Sequence, residues 1–169
     1  MEYEFIFVDS SLVICRSFGA ASVQDFVDSA EALTSDPGWR PGMDTITDHT
    51  HLDASRLTAS DIEQIAGGES EYSDEIGQGR NAVVIGHYSP VTYGLARMFE
   101  AYIEPLTEAT FRAFWTLDEA LVWLRGPGYA LPPGLREKLG RPGPVAKTES
   151  KSSAAKRPAG KGSKRNSVA

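Results

Sequence analysis

Ala82-Val83-Val84-Ile85, followed by Ser89-Pro90 and a helical series that includes Val91, Leu95, Met98, Phe99, Tyr102, Ile103 and Leu106, is the stretch on which the fold turns. Four consecutive apolar residues leave no polar face, so Asn81 to Gly86 reads as a strand covered on both sides, the centre of a sheet. Ser89 supplies a helix N-cap and Pro90 the preset φ of a first helical residue. The apolar residues that follow form one stripe along the longest helix of the chain. A buried strand feeding an amphipathic helix is half of a βαβ unit and predicts an α/β domain.

Upstream, Tyr3 to Val8 and Leu12 to Phe18 are rich in β-branched and aromatic residues and are separated by Asp9-Ser10-Ser11, which predicts an opening hairpin. Ser22 and Asp25 cap a helix carrying Val23, Phe26, Val27, Ala30 and Leu33, stopped by Asp36-Pro37-Gly38. Met43 to Asp48 is a short strand. Ser60 and Glu63 then read as a capping box opening a helix through Ile62, Ile65 and Ala66, which Gly67-Gly68 weakens or ends.

Downstream, Thr110 to Trp115 is a strand, and Thr116 with Glu119 opens a last helix that Gly126-Pro127-Gly128 closes. The order β-β-α-β-α-β-α-β-α predicts a mixed sheet with an N-terminal hairpin and right-handed crossovers, in one domain over residues 1–126. Residues 127–141 form a short appended segment with a turn of helix around Leu135 to Leu139. Residues 142–169 are Pro, Gly, Ala, Ser and Lys with almost nothing to bury, and read as a disordered basic tail.

These segments resemble the STAS-like, or SpoIIAA-like, family of small bacterial domains related to anti-sigma-factor antagonists. The resemblance spans about residues 3–125. It is carried by Asp36-Pro37-Gly38-Trp39-Arg40-Pro41-Gly42 before the third strand, Asp48 ending that strand, Tyr93-Gly94-Leu95-Ala96-Arg97-Met98-Phe99-Glu100, and Phe111-Arg112-Ala113-Phe114 leading into Leu117-Asp118-Glu119-Ala120-Leu121-Val122-Trp123-Leu124. It implies the α/β fold and a regulatory or binding role without catalysis. In the anti-sigma antagonists a serine in an Asp-Ser-Ser-Gly-like sequence after the third strand accepts phosphate. The matching stretch here is Leu52-Asp53-Ala54-Ser55-Arg56-Leu57-Thr58, so the resemblance implies Ser55 as the phosphoacceptor position, with the glycine absent. Ser55, Thr58 and Ser60 read equally as loop and cap residues. Some proteins resembling this fold enclose lipids, and a carrier of an apolar molecule would need a cavity between the long helix and the sheet near Met98, Phe99 and Tyr102.

The net charge of −6 conceals two opposite segments. Residues 141–169 hold eight of the 17 Lys and Arg but only Glu149 of the 23 acids, which leaves the body strongly acidic. An acidic body is a poor match to a phosphate backbone, so any weak polyanion contact belongs to the tail. No apolar run is long enough to span a bilayer, and Glu2, Glu4 and Asp9 stand where a secretory leader would be basic, so a cytoplasmic protein is expected. Cys15, the single cysteine, sits among Val13, Ile14 and Phe18 and reads as a small buried apolar residue.

Asp48-His49-Thr50-His51-Leu52-Asp53 places His-x-His-x-Asp directly after the third strand, and His87 follows the fourth. If those strands are parallel, His49, His51, Asp53 and His87 meet at the carboxyl-end rim, where open α/β sheets bind ligands. Tyr93 and Arg97, one helical turn apart, would add a polar face near the N-terminus of the long helix. Packing of Tyr93 at the sheet edge is the plainer reading. A metal-dependent hydrolase built on His49, His51, Asp53 and His87 is a further alternative, and solvated loop histidines are favoured over it. There is no Gly-x-Ser-x-Gly elbow and no phosphate-binding loop. The expectation is a non-catalytic module without a cofactor, binding a protein partner or small ligand at this rim.

Overall fold

The computed structural model describes residues 1–86 and 89–141. His87 and the whole of the basic tail lie outside the described residues. Five strands form one mixed sheet in the order β1-β2-β3-β4-β5. Strand β1 (Glu2–Asp9) pairs antiparallel with β2 (Leu12–Ala20), and β2, β3 (Asp44–Asp53), β4 (Arg80–Val84) and β5 (Thr110–Phe114) run parallel. The predicted hairpin and alternating order are both present. No helix among the described residues is long and apolar enough to cross a membrane.

Helices α1 (Val23–Thr34), α2 (Ala59–Ser70) and α4 (Pro90–Ile103) connect successive parallel strands, with a four-residue helix α3 (Ser73–Ile76) before β4. Right-handed crossovers repeated in one direction lay their helices on the same face, and the ladder order never reverses. The opposite face is covered by α5 (Leu117–Arg125) and α6 (Leu135–Leu139). There Leu12, Ile14, Ile46, Ala82 and Val84 of the sheet meet Ala120, Leu121 and Leu124. The stretch read as an appended segment belongs to this layer too, because Leu131 and Leu139 are buried in the same cluster.

Arg16 fixes that layer from within. Only 2% exposed, it donates to the carbonyls of Leu139 and Arg141 at 3.0 and 2.8 Å and pairs with Glu4 at 2.7 Å. At the amino ends of β3 and β4, Asp44 receives Arg80 Nη2 at 2.8 Å and Arg125 Nη1 at 2.6 Å. Arg80 also donates to the carbonyls of Trp123 and Leu124, the orphan acceptors that end α5.

Helices α1 and α5 start on the predicted capping boxes, Ser22 with Asp25 and Thr116 with Glu119. Helix α2 departs from the prediction at both ends. Its box is Thr58 with Asp61, not Ser60 with Glu63, and it runs through Gly67-Gly68 to Ser70. A Cβ on Gly68 would stand 2.5 Å from Val27 Cγ2. The glycine therefore admits α1 at close range, and that packing offsets its low helix propensity. Helix α4 ends at Ile103 in a 3₁₀ turn, Glu104–Leu106, where Pro105 lacks an N–H to continue the ladder. Val91, Tyr102 and Leu106, expected in the buried stripe, are exposed.

The largest departure is β3. It extends through His49, His51 and Asp53 to ten residues, so the His-x-His-x-Asp motif is inside the strand and not on a loop after it. The ladder with β2 slips in this region, with Arg16 opposite Asp48 but Phe18 opposite His51. The extra residue in β3 is a bulge, and it breaks the alternation of side chains.

Candidate functional site

On the face covered by α1, α2 and α4, the strands present alternate residues. Strand β2 offers Cys15 and Ser17, β3 offers Thr45, Thr47 and His49, β4 offers Asn81 and Val83, and Ile85 follows directly after β4. For a central strand packed under helices, three consecutive inward polar positions are unusual, because buried polar atoms need partners. Thr47 Oγ1 has one, Asn81 Oδ1 at 3.1 Å. Thr45 Oγ1 and His49 Nδ1 are buried with none.

Their surroundings contain a cavity of about 120 Å³ between the sheet and the three helices. Its helical wall includes Phe26 and Ala30 of α1, Ile65 and Glu69 of α2, and Leu95 and Phe99 of α4. The carrier alternative foresaw a cavity here near Met98, Phe99 and Tyr102. Phe99 does line it, whereas Tyr102 faces out and Met98 packs in the cluster of Phe26, Ile62 and Ile65.

Three ionisable groups in this wall are perturbed by burial. His49 stands edge-on to Phe26, ring centres 5.6 Å apart. Loss of hydration lowers its pKa to about 4, against a weaker upward pull from Asp48, so the imidazole is neutral at pH 7. Desolvation pushes the Glu69 carboxyl up to about 8, and the half-buried Glu69 lines the cavity. Burial, with a smaller contribution from Glu69, pushes the Cys15 thiol up to about 12, in keeping with the inert buried residue expected from its neighbours.

The remaining predicted positions do not converge with His49. The bulge in β3 turns His51 away. Its ring stacks on Phe18 at 6.0 Å, and Phe18 in turn lies under the Arg16 guanidinium of the opposite layer. Asp53 is exposed and accepts from the Ser55 amide at 3.0 Å, and its bonds to Ser55 hold its carboxyl below the usual range. Ser55 lies in an exposed turn three residues before the Thr58 cap of α2. Tyr93 packs flat on Trp115, ring centres 3.9 Å apart and planes 9° from parallel, which is the edge packing foreseen for it. Arg97 is paired on the surface with Glu100. Among the described residues no three His, Cys, Asp or Glu side chains gather as a metal site would require. His87 is outside the described residues.

Two signals for the cavity were present in the sequence. Thr45, Thr47 and His49 alternate on a strand that must be covered on both faces. Ile62, Ile65, Ala66 and Glu69 follow the i, i+3, i+4, i+7 pattern of a buried helix face, with an acid at its last position. The unpartnered hydroxyl of Thr45 carries a prediction. Thr45→Val removes a buried group that costs free energy and keeps its shape, so the variant is expected to be more stable by about 1 kcal/mol. A rise in the urea midpoint at unchanged slope measures it.

No family model, curated protein or solved structure matches the chain.

Proposed function

We propose that the protein is a non-catalytic binding domain of the SpoIIAA-like kind that encloses a small apolar or amphipathic molecule between its sheet and helices α1, α2 and α4. The observation that carries this reading is the cavity of about 120 Å³ with unpartnered polar atoms of Thr45 and His49 in its wall. Ligand sites are mostly apolar concavities in which a few polar groups fix orientation, and this one has that composition. An engineered apolar cavity of about 150 Å³ admits benzene, so the space here suits about one ring or a short chain.

The ladder order supports placing the site inside the layers. Ligand crevices at the rim of open α/β sheets form where the strand order reverses, and here the order runs from β1 to β5 without reversal. The opening hairpin followed by alternating helices and strands supports keeping the SpoIIAA-like assignment within this proposal.

Thermal unfolding in the presence of single-ring and short-chain compounds tests the reading. A ligand at a hundredfold excess over its Kd stabilises by about 2.7 kcal/mol, which raises the melting temperature measurably. Ala30→Met, which fills part of the cavity from α1, is expected to fold and to lose this response. If no such compound raises the transition, or if Ala30→Met responds as the unaltered protein does, the reading fails.

A further inference from the structure

Glu69 has no place in a simple apolar pocket. It stands one heptad after Ile62 on the inward face of α2, and among the described residues its carboxyl makes no hydrogen bond. Among the described residues the other ionisable side chains in the cavity wall are Tyr3 of β1, Cys15 of β2 and His49 of β3. Among them, helices α1 and α4 and strands β4 and β5 contribute none, and neither lysine nor arginine lines the space. Aromatic rings do, those of Tyr3, Phe5, Phe26, Trp39, Phe99 and Phe111.

Resting on the reading of the cavity as a ligand site, we infer that its ligand is an organic amine: an apolar body of about one ring bearing a single ammonium group, which Glu69 receives. A half-buried acid held against apolar walls without a partner is poorly solvated, and an ammonium brought in with the ligand pairs with it. The aromatic walls suit such a cation through their ring faces. An anionic ligand would meet no positive group among the described residues of the wall, because His49 is neutral in this environment. A neutral alcohol would fill the space and leave the acid uncompensated.

The pairing has a proton balance. Below pH 8 the free protein holds a proton on Glu69, and a free alkylamine holds one as an ammonium, as lysine does. The bound pair shares a single proton, so one is released to solvent whichever partner keeps the other. The affinity for an amine therefore rises nearly tenfold per unit from pH 6 to pH 7 and levels above pH 8, while that for an alcohol stays flat.

Isothermal titration with benzylamine, benzyl alcohol and benzoate at pH 6, 7 and 8 tests this. At pH 8 benzylamine is expected to bind at least tenfold more tightly than benzyl alcohol, with no binding of benzoate. At pH 6 the heat of amine binding should vary with the ionisation heat of the buffer, as release of one proton requires. Glu69→Gln should bring the amine to the level of the alcohol and leave the alcohol unchanged. If the alcohol binds and the amine binds no tighter, or keeps its advantage in Glu69→Gln, the amine inference is overturned and the ligand reading stands. If none of the three binds, both fall.

Discussion

Asp44→Ala is expected to cost about 2–3 kcal/mol of stability, because it removes the shared partner of a partly buried ionic cluster and leaves a backbone amide unpaired. Asp44 is 8% exposed and is the only acid paired with Arg80 and Arg125 among the described contacts. Its removal leaves two guanidinium groups facing each other and frees the backbone amide of Arg80, which Asp44 Oδ1 accepts at 3.0 Å. The cluster joins the amino ends of β3 and β4 to the carbonyl end of α5, so the loss should reach the whole α5 layer. The exposed pair Arg136–Asp118 is the contrast. Arg136→Ala is expected to stay within about 0.5 kcal/mol of the unaltered protein. Urea unfolding of both variants measures the difference, and near-equal midpoints would remove the cluster from the account.

The second large effect is that of pH through Glu69 and His49. Glu69 goes from an ordinary 4.5 to about 8 on folding, so its protonated form is stabilised. Its contribution is fully present below pH 4.5 and is lost as pH rises towards 8. His49 goes from 6.5 to about 4, so its neutral form is the folded one. That contribution is present above pH 6.5 and is lost as pH falls towards 4. Between pH 4.5 and 6.5 the two slopes oppose and nearly cancel. From pH 6.5 to pH 8 the Glu69 slope dominates, and stability should fall by about 1.5 kcal/mol. Glu69→Gln removes that limb, so the variant should be more stable than the unaltered protein at pH 8 by about 3 kcal/mol or more. Denaturant midpoints across pH 4–9 decide it. A profile unchanged by Glu69→Gln would mean that the carboxyl is hydrated in the folded protein.

The parts of this fold that could be read in the sequence are those set by local chemistry. The boxes of Ser22 with Asp25 and Thr116 with Glu119 lie within four residues, as do Ser89-Pro90 and the hairpin turn, and each is found where its residues predict. At α2 two overlapping Ser/Thr-x-x-acid sequences competed. The earlier one forms, because Asp61 still reaches the Thr58 amide at 2.8 Å and the helix gains two residues. The passage of α2 through Gly67-Gly68 depends on Val27 of another helix, which no local pattern contains.

The site was less legible for the same reason. His49 and His51 look equivalent at a spacing of two, and only the slip of β3 against β2 sends them to opposite faces. Polar residues over His49 to Asp53 resemble a loop when read alone, yet the parallel ladder with β2 holds them as strand. Glu69 continues the inward face of α2 past Gly67-Gly68, a pair that by local chemistry ends a helix, so the pattern breaks off at Ala66 when read in sequence. A cavity is a property of three helices meeting a sheet, and the sequence shows at most the residues that fail to fill it.

The central claim is that a small ligand binds between the layers and not at the rim. Titration of isotope-labelled protein with benzyl alcohol, followed by amide and methyl NMR shifts, locates the binding directly. The account expects saturable shifts confined to residues around Thr45 to His49, Ile65 to Glu69 and Val83, and absent in Ala30→Met. Shifts centred instead on Asp53, Ser55 and Tyr93, or none up to the solubility of the alcohol, would contradict it.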